Sequence, residues 1–364
     1  MLQNGMTSLT RILRDKIGAE GPISIADYMS LALTHPEHGY YTTQDPFGTR
    51  GDFITAPEIS QIFGEMVGVW CVELWRQMDR RPVSLVELGP GRGTLMADLL
   101  RATRGVKGFH DALTIHMVEA SPALAHVQYM ALRHLHPRIE WLDDVGQLPE
   151  SSTILVANEF FDALPIRQFQ VTEDGLCERR VGWDEAAQQF AFTLAAPGLQ
   201  LAKSDHRHIA AGTIIEQSPA SKQVMRQLAA HLKAHGGGAL MIDYGYLGEA
   251  HQDTLQAVKA HHFHPVLKDP GVADITAHVD FTTLAAIARD HALRVFGPVP
   301  QGEFLIRMGA EVRARMLINH AAPEQQEPIL SGLKRLVDPT AMGDLFKVLA
   351  VVSDPRWEPA GFLE

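Results

Sequence analysis

The order of predicted strands and helices indicates an α/β protein with a mainly parallel sheet flanked by helices. A buried apolar strand from Val83 leads through a glycine turn into a helix, which is the usual start of such a sheet. Four more apolar runs follow in the same manner, namely residues 113–119, 138–149, 153–158 and 239–245. Helical segments separate most of these runs, so an alternating β-α-β order predicts parallel pairing with helices on both faces.

The first strand ends in the sequence VELGPGRG, a turn with three glycines. Gly89, Gly91 and Gly93 cannot continue a strand, and Thr94 is predicted to cap the helix that follows. A glycine turn between a parallel strand and a helix lets a ligand approach the backbone N–H groups. An ordinary strand–helix turn without a ligand is the alternative reading of this stretch alone.

The spacing of the glycines disfavours a dinucleotide, and the acidic residue before the turn favours a cationic ligand. The dinucleotide fingerprint G-x-G-x-x-G would need a glycine where Thr94 stands. The carboxylate of Glu87, two residues before the first glycine, suits positive charge better than a pyrophosphate. A G-x-G-x-G turn after an acidic strand end resembles the first motif of class I S-adenosylmethionine-dependent methyltransferases. Glu119 closes the second strand, where an acidic residue can accept hydrogen bonds from ribose hydroxyls.

Polar residues also close the third and fourth strands. Asp143, with its neighbour Asp144, is predicted to lie near an adenine amino group, although solvated loop residues would show the same pattern. Asn158, Glu159 and Asp162 follow the fourth strand and are the candidate catalytic residues, because ligands bind at the carboxyl edge of such sheets. Helix capping and loop solvation are the alternative explanation for these three side chains.

Composition and charge narrow the class of partner. The net charge is −11, from 32 Lys and Arg against 43 Asp and Glu, so binding to a nucleic-acid backbone is not expected. Cys71 and Cys177 are far apart, which disfavours a disulfide framework or a zinc site. No metal is expected at the histidine group 261–264, since no cysteine or carboxylate cluster joins it. The chain has no apolar run long enough for a membrane span, and a cytoplasmic location is expected.

The predicted domain organisation has three consecutive parts. Residues 1–80 form an N-terminal helical segment with a lid loop, at about residues 35–57, rich in Gly, Pro and Thr. Residues 81–309 form the core, with insertions at about 171–200 and 245–280 that shape access to the substrate. Residues 310–364 are predicted to be a C-terminal helical extension, with helix from Ala310 to about Val351.

Taken together, six motifs resemble the MidA family, which includes the mitochondrial complex I assembly-factor arginine methyltransferase. They are GDFITAPEISQIFGE, VELGPGRGTLMADLLR, HMVEASPAL, NEFFDALPIRQF, LMIDYG and DITAHVDFTTL, in this order over roughly residues 20–350. The resemblance implies a class I methyltransferase fold and S-adenosylmethionine as methyl donor. It assigns the cofactor turn to Gly89, Gly91 and Gly93 and the ribose acceptor to Glu119. For mitochondrial members it also implies symmetric dimethylation of an arginine on a complex I core subunit.

Arginine chemistry is consistent with the residues after the fourth strand. A protonated guanidinium is a poor nucleophile, and carboxylates such as Glu159 and Asp162 can orient it by paired hydrogen bonds and accept a proton. Phe160 and Phe161 between them can exclude water and stack on the guanidinium. Glu58, on the helix after the lid loop, is a further candidate for substrate binding.

Two other functions remain open at this stage. A small-molecule methyltransferase would share the cofactor motifs and differ in the shape of the substrate pocket. A non-catalytic assembly factor on a methyltransferase scaffold is disfavoured by the intact glycine turn and Glu119, because a decayed site should have lost them. A nicotinamide-dependent enzyme is disfavoured by Thr94.

Overall fold

The structure, a computed structural model, describes residues 7–43, 55–196, 209–248 and 251–362. The chain forms two compact units, each made of segments that are distant in sequence. The core unit comprises Ile54–Phe161, Lys222–Tyr246 and Val279–Glu364. The accessory unit comprises Met1–Phe53, Asp162–Ser221 and Leu247–His278. The structure therefore joins the N-terminal segment to the two insertions, whereas the sequence prediction divided the chain into three consecutive parts.

The described residues contain thirteen α-helices. They are α1 Ser8–Glu20, α2 Ile25–Thr34, α3 Tyr40–Thr43, α4 Ala56–Ile59, α5 Gln61–Gln77, α6 Thr94–Thr103, α7 Phe109–Ala112, α8 Pro122–Leu132, α9 Pro219–His235, α10 Phe281–Asp290, α11 Gln301–Arg307, α12 Ala310–Ile318 and α13 Pro323–Val337. A 3-10 turn covers Val145–Gln147, and a π-helical turn covers Pro339–Gly343.

The same part of the chain contains sixteen strands. They are β1 Ile23–Ser24, β2 Val83–Leu88, β3 Leu113–Val118, β4 Ile139–Leu142, β5 Thr153–Asn158, β6 Arg167–Thr172, β7 Gly175–Asp184, β8 Gln189–Leu194, β9 Ile214–Gln217, β10 Gly237–Tyr246, β11 Gln256–Lys259, β12 His262–His264, β13 Asp274–Thr276, β14 Val279–Asp280, β15 Arg294–Pro300 and β16 Phe346–Val352.

The core unit is built on one large sheet with the order β4-β3-β2-β5-β10-β16-β15. Strands β4, β3, β2, β5 and β10 pair in parallel, and β16 is antiparallel to both of its neighbours. The two-residue strand β14 adds a parallel pairing at the end of β10. This arrangement confirms the predicted mainly parallel sheet. The chain order reverses between β2 and β5, which is where parallel sheets of this kind bind ligands.

Strands in the middle of the sheet are buried along their whole length. All six residues of β2 and all six of β5 are buried. A parallel strand covered by helices on both faces needs apolar side chains on both sides, which explains the continuous apolar runs of the sequence. Helix α5 belongs to the same hydrophobic core and has twelve of its seventeen residues buried, including Trp70 and Phe63.

The prediction of helix up to about Val351 is wrong from Phe346 onward, because Phe346–Val352 form β16 in the interior of the core sheet. The segment FKVLAVV is a short apolar run, and periodicity alone does not separate a buried strand from a buried helix. Hydrogen bonding to β10 on one side and to β15 on the other decides between them. The helical prediction is confirmed for α12 and α13.

The accessory unit contains two antiparallel sheets and the N-terminal helices. Its larger sheet has the order β1-β7-β6-β9, with β8 paired to β7, and its smaller sheet has the order β12-β11-β13. Apolar residues of α1 and α2, such as Leu13 and Met29, form its core with Val181 and Ile275. The predicted hairpin strands of the first insertion are confirmed within residues 171–196. The second insertion, expected to be loop-rich, contains the smaller sheet.

The predicted lid loop falls only partly within the described residues. Residues 35–43 include the short helix α3, whose Tyr40 is buried. Tyr41 donates a hydrogen bond from its hydroxyl to Asp274 Oδ1 at 2.9 Å, inside the accessory unit. Residues 44–54 lie outside the described part of the chain.

Helices α5 and α6 approach each other closely at two glycines. An added Cβ at Gly64 would lie 2.6 Å from Asp98 Cβ, and one at Gly68 would lie 3.2 Å from Leu99 Cα. A methyl group at Gly64 would force a shift of its surroundings, and one at Gly68 would require its neighbours to move by a few tenths of an ångström. The close approach fixes the position of α6, whose first residues follow the glycine turn directly.

We therefore expect Gly64→Ala to destabilise the core unit by about 1–3 kcal/mol, because the methyl group must push α5 and α6 apart. Urea denaturation followed by tryptophan fluorescence measures the free energy of unfolding. Gly105→Ala is the control, since a Cβ at Gly105 would meet nothing within 4 Å. Equal stability of the two variants would contradict the proposed close packing.

Candidate active site

The glycine turn between β2 and α6 has a backbone that favours glycine. Gly89, Gly91 and Gly93 have φ angles of +59°, +56° and +82°, in the left-handed region. The N–H of Gly89 donates to the carbonyl oxygen of Val118 at 3.1 Å, which ties the turn to the end of β3. A side chain at Gly89 would also meet Phe160, whose Cδ2 lies 3.0 Å from the position of an added Cβ. The turn is therefore closely packed against Phe160 at Gly89.

The predicted capping role of Thr94 is wrong. The N-cap of α6 is Gly93, without a side-chain cap, and Thr94 is the first helical residue. Its hydroxyl instead donates to Glu58 Oε1 at 2.5 Å. Glu58 is half-buried in α4, so this contact joins α4 to the start of α6. The structure thus brings Glu58 next to the glycine turn, where the sequence analysis suggested a substrate-binding role.

Glu87 is a buried carboxylate at the end of β2. Its residue is 3% exposed, and its Oε2 is buried without a hydrogen-bond partner among the described residues. Burial raises the pKa of Glu87 from its ordinary value of 4.5 to about 8. Burial and the nearby Glu87 also raise the pKa of the Cys71 thiol. A buried carboxylate with an unsatisfied oxygen suits a cationic ligand group, because a positive charge would compensate its desolvation.

Glu119 follows β3 and is held by two hydrogen-bond donors. Its Oε1 accepts from the N–H of Ser121 at 2.8 Å, and its Oε2 accepts from Gln128 Nε2 at 3.0 Å. Burial raises its pKa, and the two hydrogen bonds lower it. A carboxylate oxygen can accept two hydrogen bonds, so Glu119 retains acceptor capacity toward a pair of ligand hydroxyls.

Gln128 is a site residue that the sequence analysis did not identify. It is fully buried in α8, and its Nε2 donates to the carbonyl oxygen of Gly91 at 2.8 Å as well as to Glu119. Its Oε1 accepts from Trp141 Nε1 at 2.8 Å. A glutamine within a helix carries no distinctive sequence signal, and only the tertiary contacts reveal it.

Asp143 lies where the sequence predicted, after β4 at the same edge of the sheet. It is exposed, and its N–H donates to Gln147 Oε1 at 3.0 Å. The neighbouring Asp144 caps the 3-10 turn, because its Oδ1 accepts from the N–H of Gly146 at 2.6 Å. Asp144 is therefore explained by local structure, whereas the carboxylate of the exposed Asp143 accepts only a long hydrogen bond, from Gln147 Nε2 at 3.5 Å.

The last residue of β5, Asn158, and the residue after it, Glu159, lie beside α4. Asn158 Nδ2 donates to Glu159 Oε1 at 3.2 Å, and the N–H of Ala56 donates to the same oxygen at 3.1 Å. Asn158 Oδ1 is buried and accepts no hydrogen bond from the described residues. Glu159 has a φ of +51°, a conformation that side chains rarely adopt. Such an outlier indicates a position that the surrounding structure enforces.

Phe160 and Phe161 differ in exposure. Phe160 is half-buried and packs on Gly89, whereas Phe161 is 3% exposed. Their rings are 5.4 Å apart in an edge-to-face arrangement. The N–H of Phe161 donates to Asp243 Oδ2 at 3.0 Å, so Asp243, buried in β10, fixes this segment. The sequence analysis did not single out Asp243, although it stands near the end of an apolar strand.

Asp162 is the first residue of the second segment of the accessory unit, whereas Asn158, Glu159, Phe160 and Phe161 belong to the core unit. It is 6% exposed, and its carbonyl oxygen accepts from the N–H of Ala277 at 3.0 Å. Asp162 contributes with Asp274 to the raised pKa of Tyr41, after the larger effect of burial. A catalytic role for Asp162 stays a prediction.

The described ranges contain no group of three or more His, Cys, Asp or Glu residues positioned to hold a metal ion. Within the histidine group, His264 Nε2 lies 3.2 Å from the carbonyl oxygen of Lys268. In these same ranges no helix is both long and apolar enough to cross a bilayer.

The carboxyl ends of β2, β3, β4 and β5 therefore collect a glycine turn and several carboxylates at the reversal point of a parallel sheet. A cationic group beside Glu87 would stabilise the ionised form of this buried carboxyl, and Glu119 has remaining acceptor positions that suit ribose hydroxyls, so these residues fit S-adenosylmethionine. That cofactor supplies a methyl group on a positively charged sulfur. The fold and the site define a class I S-adenosylmethionine-dependent methyltransferase.

Comparison with known families agrees with this class. Residues 66–299 match the family described as "Putative S-adenosyl-L-methionine-dependent methyltransferase". The match covers more than half of the chain. The chain belongs to this family, and the resemblance drawn from its six motifs is confirmed.

Curated relatives share nearly the full length of the chain. The Drosophila melanogaster protein arginine methyltransferase NDUFAF7 homolog, mitochondrial, is 40% identical to this chain. The alignment covers 96% of this chain and 86% of the length of that protein. The Homo sapiens protein arginine methyltransferase NDUFAF7, mitochondrial, is 34% identical to this chain. The alignment covers 97% of this chain and 85% of the length of that protein. The cytoplasmic location expected from the sequence is therefore wrong, because the relatives are named mitochondrial. That expectation rested on the absence of a recognisable targeting segment, which does not define a compartment.

Two solved structures from Burkholderia thailandensis share the fold. One, bound to S-adenosyl-homocysteine, has a TM-score of 0.83 and 27% identity, and the alignment covers 98% of this chain and 93% of that chain. The other, a native structure of an uncharacterised protein, has a TM-score of 0.80 and 26% identity over 98% of this chain and 92% of that chain. The predicted cofactor is confirmed by the family and by the first of these structures.

The burial of Glu87 predicts a pH-dependent effect on stability. In the unfolded chain the carboxyl ionises near pH 4.5, but in the folded protein its pKa is about 8. The folded state thus holds one more proton between these values, and stability falls as pH rises through this window. We expect the free energy of unfolding of the wild type to fall, relative to Glu87→Gln, from pH 4.5 to pH 8. Urea denaturation of both proteins across this range measures the difference, and a constant difference would contradict the buried, protonated carboxyl.

Proposed function

We propose that this enzyme methylates an arginine side chain of a protein, and that the product is symmetric dimethylarginine on a respiratory complex I core subunit or a similar partner. One observation carries the proposal. The Oδ1 of Asn158 is buried and has no hydrogen-bond partner among the described residues. The Nδ2 of the same side chain donates to the carboxylate of Glu159. The next residue, Phe160, packs on Gly89 of the glycine turn. Acceptors at this place suit a donor-rich planar group such as guanidinium.

The guanidinium has five N–H donors and no acceptor, so its binding site must present oxygens. Asn158 Oδ1 can accept one of these hydrogens without disturbing any hydrogen bond of the described structure. Glu159 already accepts from Ala56 and Asn158 through Oε1. These two contacts hold the carboxylate in place, so that its negative charge can pair with the substrate cation.

The attacked nitrogen must lose a proton when it gains the methyl group. A carboxylate next to the guanidinium can take that proton, and Glu159 is the proposed acceptor. Glu58 is proposed as a second contact to the substrate, held by Thr94 at the start of α6. Phe160 and Phe161 are proposed to exclude water, and the exposed part of Phe160 offers the ring face for stacking on the guanidinium. Asp162 is kept as a proposed catalytic residue on its position in the motif.

The cofactor contacts are proposed for the residues at the carboxyl edge of the sheet. The turn of Gly89, Gly91 and Gly93 would admit the cofactor against the backbone, and Glu87 would face its positive charge. Glu119 would accept from the ribose hydroxyls. Asp143, exposed after β4, would accept from the adenine amino group.

The names of the relatives support a protein arginine as substrate. Eight relatives that share 34–40% identity with this chain carry the name protein arginine methyltransferase. The complex I target and the symmetric product come from the motif resemblance alone. A protein partner is consistent with the acidic net charge of −11, since an arginine-bearing surface is positively charged.

The test is methyl transfer from radiolabelled S-adenosylmethionine to recombinant core subunits of respiratory complex I. Acid hydrolysis of the labelled protein separates monomethylarginine from the symmetric and asymmetric dimethyl forms. We expect label in symmetric dimethylarginine of one subunit. Label in lysine, or only in small molecules of an added metabolite extract, would overturn the proposal.

We further expect Glu159→Gln to lower kcat by about 10²-fold or more, as loss of a general base does. The amide oxygen of glutamine can still accept from Ala56, so the local structure is kept and the affinity for S-adenosyl-homocysteine should change by less than about twofold. Glu150→Gln is the matched control, because Glu150 is exposed and precedes the first residue of β5, whereas Glu159 follows its last residue. Full activity of Glu159→Gln would exclude its catalytic role without affecting the proposed substrate class.

A further inference from the structure

Gln128 joins three parts of the cofactor edge through one buried amide. Its Nε2 donates to the Gly91 carbonyl at 2.8 Å and to Glu119 Oε2 at 3.0 Å. Its Oε1 accepts from Trp141 Nε1 at 2.8 Å. The glycine turn, the residue after β3 and the strand β4 thus meet at a side chain that is 0% exposed.

The orientation of this amide is determined by its partners. The Gly91 carbonyl is only an acceptor and the indole N–H of Trp141 is only a donor. The NH₂ group must therefore face Gly91 and Glu119, and the oxygen must face Trp141. A rotated amide would place its oxygen against a carbonyl oxygen and a carboxylate, with no donor between them. The contact to Glu119 is consequently a charge-assisted hydrogen bond with a fixed direction.

We propose that Gln128 is a positioning residue, which holds the Glu119 carboxylate in the orientation needed to accept hydrogen bonds from the cofactor ribose. Ser121 restrains Glu119 Oε1 through its backbone N–H, and Gln128 restrains Oε2. With both oxygens restrained, the remaining lone pairs have defined directions. A ligand then binds without the entropy cost of ordering the carboxylate.

The same amide also supports the glycine turn, which predicts two separable effects. Its contact to Gly91 affects every ligand of the turn, with or without ribose hydroxyls. Its contact to Glu119 affects only ligands whose hydroxyls reach that carboxylate. A residue that merely filled space in α8 would not distinguish between such ligands.

The test compares the affinities of S-adenosyl-homocysteine and its 2′-deoxy and 3′-deoxy forms for wild type and Gln128→Leu by calorimetry. The inference rests on the proposed ribose role of Glu119. We expect the wild type to prefer S-adenosyl-homocysteine over at least one deoxy form. Gln128→Leu should lose about tenfold to a hundredfold in affinity for S-adenosyl-homocysteine, as expected for a hydrogen bond to a charged group, and much less for that deoxy form.

A second variant and a control keep the test decisive. Gln128→Met has a similar length but no N–H to donate to Glu119, so it should lose the preference in the same way. Gln301→Leu removes another fully buried glutamine of the core unit, whose Nε2 donates to the Leu336 carbonyl at 3.0 Å. This control should leave the preference between the ligands unchanged.

The outcomes separate the two proposals. Equal wild-type affinity for all three ligands would overturn the ribose role of Glu119. A wild-type preference that Gln128→Leu and Gln128→Met retain would overturn the positioning role of Gln128 alone. An equal loss for all three ligands would also overturn it, because the amide would then support only the turn.

Discussion

The site depends on the parallel pairing of β2 with β3 on one side and β5 on the other. This pairing places the carboxyl ends of the strands at one edge, although the residues there come from segments between positions 87 and 159. The chain order reverses between β2 and β5, and parallel sheets of this kind have a crevice for ligands at that point. Backbone hydrogen bonds between these strands therefore align the turn, Glu119 and the segment after β5 at one edge.

The polar side chains at this edge differ in whether their oxygens accept hydrogen bonds from the protein. Glu119 and Glu159 each have donors on their carboxylates, whereas Glu87 and Asn158 retain a buried oxygen without a partner in the described structure. Unsatisfied buried acceptors cost free energy, and a ligand that brings donors or positive charge to them would offset that cost. The two orphaned oxygens lie at the ends of adjacent strands, β2 and β5. One is proposed to face the cofactor charge and the other the substrate guanidinium.

Much of the fold and part of the site were predictable from the sequence. The glycine turn, the acidic strand ends and the apolar strands are local patterns with a direct physical meaning, and β2, β3, β5 and β10 lie where those patterns predicted. The capping role of Thr94 and the C-terminal helix over β16 were predicted incorrectly. In both cases a tertiary partner decided the outcome: Glu58 for the Thr94 hydroxyl, and the neighbouring strands for β16.

By itself the sequence determined the fold class, the cofactor and the family, because these depend on strand and turn patterns that are contiguous in the chain. Only the tertiary structure revealed Gln128 and Asp243, and only it showed that the N-terminal segment and both insertions form one unit. These features rest on contacts between residues far apart in sequence, such as Phe161 with Asp243. A buried amide or carboxylate has no local pattern that distinguishes it, since its role is set by the partners that folding brings to it.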